Sequence, residues 1–160
     1  MSIKENMSNV AAEQGKILLI IAKKEELHDA VEALGLGQVE KKQSGEPYFK
    51  DSTYHISFTH KGEIAVAAIS AKDVGVDIEN VTVPRNVERL SRLFHESEVP
   101  QSLYDFYKVW TAKEATGKML GTGITSDLLK EKTLSVRYVE IGDYLIAVAG
   151  EGEIEVKEVL

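Results

Sequence analysis

Apolar positions in this chain follow two periods, and the switches between them mark the elements. Lys16–Lys23 reads KILLIIAK, a short Ile- and Leu-rich run bounded by charge, which predicts a buried strand. In KKEELHDAVEALGLG, Leu27, Val31 and Leu34 fall at i, i+4 and i+7, which predicts a helix stopped by Gly35 or Gly37. Residues 38–47 read as a polar connection ending in Gly45-Glu46-Pro47. YHISFT and EIAVAAIS follow as two strands joined through His60-Lys61-Gly62, and VGVDIENV is a third strand-like run. Val87, Leu90, Leu93 and Phe94 then predict a helix over 85–96, after Pro84 and closed by Pro100. A longer helix is expected from Ser102 to Leu120, with Leu103, Phe106, Tyr107, Trp110 and Met119 broadly on one side, until Gly121-Thr122-Gly123 breaks it. TLSVRYVEI, DYLIAVAG and EIEVKEV return to strand, with turns at Gly142-Asp143 and Glu151-Gly152.

One tetrapeptide repeats: Ile64-Ala65-Val66-Ala67 reappears as Ile146-Ala147-Val148-Ala149. Each copy lies in the second arm of a hairpin, after a strand and a helical region. The order predicts an α+β fold of two pseudo-repeated βαββ-type halves, about 16–73 and 74–160, with helices packed on antiparallel sheets. The 160 residues fit one domain over 16–160, and residues 1–15, without hydrophobic period, read as a flexible N-terminal tail.

Charge narrows the partners. Nineteen Lys and Arg against 26 Asp and Glu give −7, the wrong sign for bulk attraction to nucleic acid or anionic lipid. No nucleic-acid or membrane partner is expected. The longest wholly apolar run, Ile17–Ala22, is far short of the ~20 residues a bilayer demands. The opening MSIKENMSNVAAEQGK carries no signal-like apolar run, and there is no Cys, both in keeping with a cytoplasmic location.

Two clusters carry candidate chemistry. In GVDIE the strand period sends the Asp77 and Glu79 carboxylates to one face and Val76 and Ile78 to the other. Adjacent like charges call for a cation, and two oxygen ligands plus water suit Mg²⁺; two exposed acids on an edge strand are the competing reading. In Trp110-Thr111-Ala112-Lys113-Glu114-Ala115 and Lys118, Glu114 and Lys118 stand at i, i+4 with Lys113 at the margin. An acid between two lysines can join a metal while the ammonium groups hold phosphate. An ordinary solvated Glu–Lys pair over a core Trp110 satisfies the same spacing.

Taken in order, Gly75-Val76-Asp77-Ile78-Glu79 and Trp110-x-x-Lys113-Glu114-Ala115-x-x-Lys118 resemble the double signature of the 4′-phosphopantetheinyl transferase superfamily, the group that includes holo-acyl-carrier-protein synthases. Gly45-x-Pro47-x-Phe49, Ser57-Phe58-Thr59-His60-x-Gly62 and FHESE over Phe94–Glu98 extend the resemblance to about residues 45–124. It implies that family's fold and a Mg²⁺-dependent transfer of 4′-phosphopantetheine from coenzyme A to a serine hydroxyl of an acidic acyl or peptidyl carrier protein, releasing adenosine 3′,5′-bisphosphate. By the same resemblance Asp77, Glu79 and Glu114 are the metal acids. Glu114, or a metal-bound water beside it, is the base, and Lys118 assists catalysis. Thr59, His60, Lys113 and Lys118 meet coenzyme A, while His28, His55 and His95 match nothing. Arg85, Arg89 and Arg92, at i, i+4 and i+7, form a candidate carrier-docking face, against a solvated face interleaved with Glu88.

Two departures remove positive charge near an anionic ligand. Glu46 stands where the family has Lys, and the first helix lacks the family's arginines, leaving Lys23 and Lys24 as substitutes. The expected enzyme is a monomer with one site between its halves, a small homo-oligomer being the alternative. The competing functions are a non-catalytic homologue that binds carrier or coenzyme A and a metal-dependent phosphohydrolase.

Overall fold

The computed structural model describes residues 15–160; the rest of the expected N-terminal tail lies outside the described residues. β1 (Lys16–Lys23) is followed by α1 (Leu27–Glu32), β2 (Val39–Lys41), β3 (Pro47–Phe49), β4 (His55–Lys61) and β5 (Ile64–Ser70). After β6 (Gly75–Asn80) come α2 (Val87–Ser91), α3 (Leu103–Leu120) and α4 (Ser126–Lys130), then β7 (Arg137–Ile141), β8 (Tyr144–Ala149) and β9 (Glu153–Val159). One sheet has the order β4-β5-β1-β9 and another β6-β8-β7, while β2 and β3 pair by themselves.

β1 explains why its sequence is apolar without alternation. Leu18, Ile20 and Ala22 face Leu27, Val31 and Leu34 under α1, whereas Ile17, Leu19 and Ile21 face Val76, Ile78, Ile146 and Val148 of the other sheet. A strand buried on both faces needs hydrophobic residues at every position. Each such Leu or Ile contributes about 1.5–3 kcal/mol of burial.

The architecture departs from the sequence expectations at four places. The polar connection 38–47 contains β2 and opens β3, an antiparallel pair with Val39 opposite Phe49, because Phe49 is drawn into the core under α1. The β4–β5 turn is Gly62-Glu63, since Lys61 pairs with Ile64. The helix expected over 85–96 shrinks to Val87–Ser91. Asn86 caps it by accepting the Arg89 N–H at 3.0 Å, and past Arg92 the backbone tightens to bring Phe94 into the core, 5.7 Å from the Phe106 ring. Finally, β9 forms no hairpin with β8. It crosses to the first sheet and pairs parallel to β1, with Ile17 opposite Ile154. The crossing passes through Gly150 (φ 137°) and Gly152 (φ 125°); a Cβ on Gly152 would lie 2.6 Å from the Gly15 carbonyl oxygen.

β4 and β6 meet at the seam between the sheets, and side-chain hydroxyls bridge them. Ser57 Oγ accepts from the Val76 N–H at 3.2 Å and Thr59 Oγ1 from the Ile78 N–H at 3.3 Å. α3 lies across β6 and β8 through Ala115, Ala147 and Ala149. It starts where Ser102 Oγ accepts the Asp105 N–H at 3.0 Å and stops at Gly121 (φ 75°). Gly75 permits the closest approach: a Cβ there would stand 1.9 Å from the Ala115 carbonyl oxygen. The first residue of GVDIE thereby sets how near the helix carrying Glu114 and Lys118 comes to the strand carrying Asp77.

Candidate active site

On β4, Ser57, Thr59 and Lys61 share one face by the strand period and meet β6. On α3, Trp110, Glu114 and Lys118 repeat every four residues along one side. Lys118 joins the two sheets: its Nζ donates to the Phe58 carbonyl of β4 at 3.2 Å and the Val76 carbonyl of β6 at 3.0 Å. The same Nζ lies 3.6 Å from Asp77 Oδ1. An ammonium has three donors; two are committed to backbone and the third is directed to an acid.

Asp77 is 8% exposed. Thr59 Oγ1 donates to its Oδ1 at 3.4 Å, while Oδ2 is buried without a hydrogen-bond partner among the described residues. Burial drives its pKa up to about 7; Lys118 opposes the rise, and the negative fields of Glu114 and Glu79 add to it. Glu114 is also raised, again by burial first, with Lys118 opposing, Glu79 adding and Arg85 opposing. Glu79 is held by Lys61 at 3.2 Å. Asp77, Glu79 and Glu114 thus act on one another electrostatically. Even so, no three His, Asp or Glu side chains are gathered into a metal-holding group among the described residues. Lys61 instead lies against one oxygen of Glu79, and Lys118 against one oxygen of Asp77. By donor chemistry the set still fits a hard cation, since it offers three carboxylates whose fields act on one another, and one presents an orphaned buried oxygen.

His60 is exposed at the end of β4. Its pKa is lowered by partial desolvation and by the positive fields of Lys24, Lys118 and Lys61. Lys24 is brought to this hairpin by its backbone, whose N–H donates to the Glu63 carbonyl at 2.8 Å. Lys24, Lys118 and Lys61 therefore all lie near enough to His60 to act on it electrostatically. Beside them a cavity of about 330 Å³ is lined by Ser44–Pro47, Ile56–Phe58, Lys118 and Gly121–Gly123. Glu46 stands in its wall with Lys42 3.6 Å away, so this acid is partly neutralised from its own hairpin. A larger cavity, about 580 Å³, lies beyond the end of α3 between Met119, Leu134 and Gly150, and none of the three acids lines it.

Lys113 does not join this group, contrary to the expectation for a coenzyme A contact. Five residues on a helix turn through about 140°, which carries Lys113 away from the Lys118 side. It is 1% exposed, pairs with Glu98 Oε1 at 2.9 Å, donates to the Glu131 carbonyl at 2.6 Å and sits 5.5 Å from the Phe94 ring centre. Glu98 Oε2 accepts the Thr133 N–H at 3.0 Å. Burial works against the Glu98 charge, but the hydrogen bonds from Thr133 and Lys113 outweigh it and hold its pKa below the usual range. The arginines also divide. Arg85 precedes the Asn86 cap and lies over Trp110 and Phe106, whereas Arg92 is exposed and paired with Glu88 at 3.2 Å. The three do not form one helical face. Ser57 and Lys61 were not singled out from the sequence, although the alternation Ser57-x-Thr59-x-Lys61 opposite Asp77-x-Glu79 carried the signal.

This geometry, a carboxylate strand and a Glu–Lys helix joined at a sheet seam, coincides with a family match. Residues 73–143 match the family model of the 4′-phosphopantetheinyl transferase superfamily. It is 32% identical over 92 residues to 4′-phosphopantetheinyl transferase gsp of Aneurinibacillus migulanus, covering 52% of this chain and 38% of the relative. It is 30% identical over 107 residues to 4′-phosphopantetheinyl transferase of Bacillus subtilis, covering 61% and 46%, and 29% identical over 107 residues to psf-1 of Bacillus pumilus, covering 60% and 46%. The match spans less than half the length of these relatives.

Proposed function

We propose that the chain is a Mg²⁺-dependent transferase that moves the 4′-phosphopantetheine group of coenzyme A to a serine hydroxyl of an acidic acyl or peptidyl carrier protein. The observation that carries this reading is the Asp77–Lys118–Glu114 arrangement across the seam, a buried acid with an orphaned oxygen beside a lysine and a second acid. The serine oxygen forms a bond to the phosphorus bearing pantetheine, and the bond from that phosphorus to the bridging oxygen breaks. Adenosine 3′,5′-bisphosphate leaves with the electron pair. Glu114, or water beside it, accepts the serine proton; burial raises its pKa, which is the direction that favours taking up a proton. Mg²⁺ held by Asp77, Glu79 and Glu114 would neutralise the diphosphate oxygens.

Lys118 turns its third donor from Asp77 to a phosphate oxygen when substrate arrives, keeping its two backbone bonds as a fixed base. His60, Lys24 and Lys61 form the basic mouth that takes the 3′-phosphate, and Thr59 holds Asp77 in place. Lys113 acts from inside, fixing Glu98 and the segment that ends at Thr133. Arg89 and Arg92 beside exposed Leu93 offer the carrier a basic and apolar face. The sheet orders β4-β5-β1 and β7-β8-β6 support a repeat of the two halves. The tetrapeptides are out of step by two residues in it, since Ile64 directly follows its turn and Ile146 stands third after its own. The enzyme acts as a monomer in the cytoplasm; no helix among the described residues is long and apolar enough to cross a membrane.

A non-catalytic homologue is the second reading, favoured by Glu46 in the cavity wall. Incubation with coenzyme A, Mg²⁺ and several apo carrier proteins separates the two. A phosphopantetheine mass gain on the carrier supports transfer, whereas coenzyme A binding without any gain supports the binding module.

A further inference from the structure

Arg85 is the one arginine of its segment turned inward. Two residues before it, the Val83 carbonyl accepts the Tyr107 hydroxyl at 2.6 Å, which pins this stretch against α3. The Arg85 guanidinium carbon lies 5.3 Å from the Trp110 ring centre and 5.8 Å from that of Phe106, over two rings stacked 5.9 Å apart. Trp110, Glu114 and Lys118 follow one another at successive turns of one helical side. Glu114 therefore has Arg85 one turn toward the helix start and Lys118 one turn toward its end.

The two cations differ in what already occupies them. Lys61, Lys113 and Lys118 each have an acid partner, with Glu79, Glu98 and Asp77 respectively. Arg85 forms no ion pair among the described residues, and its guanidinium reaches the neutral Tyr107 hydroxyl instead. Stacking on an aromatic shelf orients a guanidinium while leaving its edge N–H groups free, and that edge matches phosphate oxygens in a bidentate way. We propose that Arg85 is a binding residue of the active face, its guanidinium taking an oxygen of the phosphate or diphosphate group held beside Glu114. This rests on the transferase reading for where the diphosphate lies, and it replaces the carrier-docking role expected of Arg85.

The test compares the full chain with Arg85→Met, which keeps the apolar stack and loses the charge, and with Arg85→Lys, which keeps the charge. Coenzyme A and inorganic pyrophosphate binding are measured by calorimetry, alongside the carrier KM and the melting temperature. Arg85→Met weakens both anions about tenfold, as loss of a charged hydrogen bond does. Arg85→Lys retains most of the affinity, the carrier KM stays within twofold, and the melting temperature is held by the retained stack. A raised carrier KM with anion affinity unchanged restores the docking role and overturns the proposal. So does an equal loss of melting temperature in both variants with anion binding intact, which makes Arg85 a strut. If no carrier is ever modified, the transferase reading falls while the pyrophosphate comparison still decides Arg85.

Discussion

α3 carries two buried acid–lysine clusters on different sides, and they behave in opposite ways. At Lys113 each Glu98 oxygen has its own partner, the ammonium at 2.9 Å and the Thr133 N–H at 3.0 Å, and the carboxyl is held below its usual range. At Lys118 the ammonium is divided between two carbonyls and Asp77, whose second oxygen has no hydrogen-bond partner and whose pKa is pushed up to about 7. Both clusters keep a buried carboxylate oxygen short of a hydrogen bond, so that does not separate them. The ion pair does. An ammonium sealed from solvent and 2.9 Å from its carboxylate holds the charge and stabilises the fold, whereas a partly exposed ammonium 3.6 Å from its acid and shared with two carbonyls is prepared for a ligand to complete it.

The largest expected effect lies on the incomplete side. Asp77→Asn lowers transfer by about 10²–10³-fold without lowering the melting temperature of the metal-free chain, because the substitution removes an unfavourably buried charge. A lower melting temperature with activity intact would make Asp77 a structural residue like Glu98. Lys113→Met is the converse: stripping the cation from a buried carboxylate costs about 3–5 kcal/mol, measured by denaturant unfolding, while turnover per folded molecule stays near that of the parent.

The pH dependence sharpens the contrast. A raised acid binds its proton more tightly in the folded state, so between about pH 4 and 7 Asp77 makes metal-free stability fall as pH rises. Asp77→Asn removes that slope. Glu98 is lowered, so its contribution is present above its unfolded pKa and is lost as pH falls through the folded value; Glu98→Gln removes a slope of the opposite sign. Equal slopes in both variants would contradict the distinction. The smallest effect belongs to the seam. Thr59→Val leaves the Ile78 N–H without its acceptor and costs about 1–3 kcal/mol, seen as faster amide exchange at Ile78 and not at Leu145.

Much of this is legible in the amino-acid sequence, and the reasons are local. α3 was readable because Ser102 and Gly121 supply its cap chemistry and its apolar residues keep one period. Asp77 and Glu79 share a face as the strand alternation requires. What stayed hidden depends on distant partners. The capping Asn86 and the aromatic site for Phe94 shorten α2, which takes Arg85 off the arginine face. The buried Glu98 decides where Lys113 points. β9 reads as the third arm of a meander because nothing local reveals that β1, some 137 residues earlier, offers it an edge.

That edge has a consequence for how the chain comes to be folded. β9 emerges some 137 residues after β1, so the first sheet keeps an open, hydrophobic border while the residues between them are made. Parallel pairing across so long a loop is entropically slow to form. The pairing of β1 is thus completed only when the seven-residue strand β9 docks beside it.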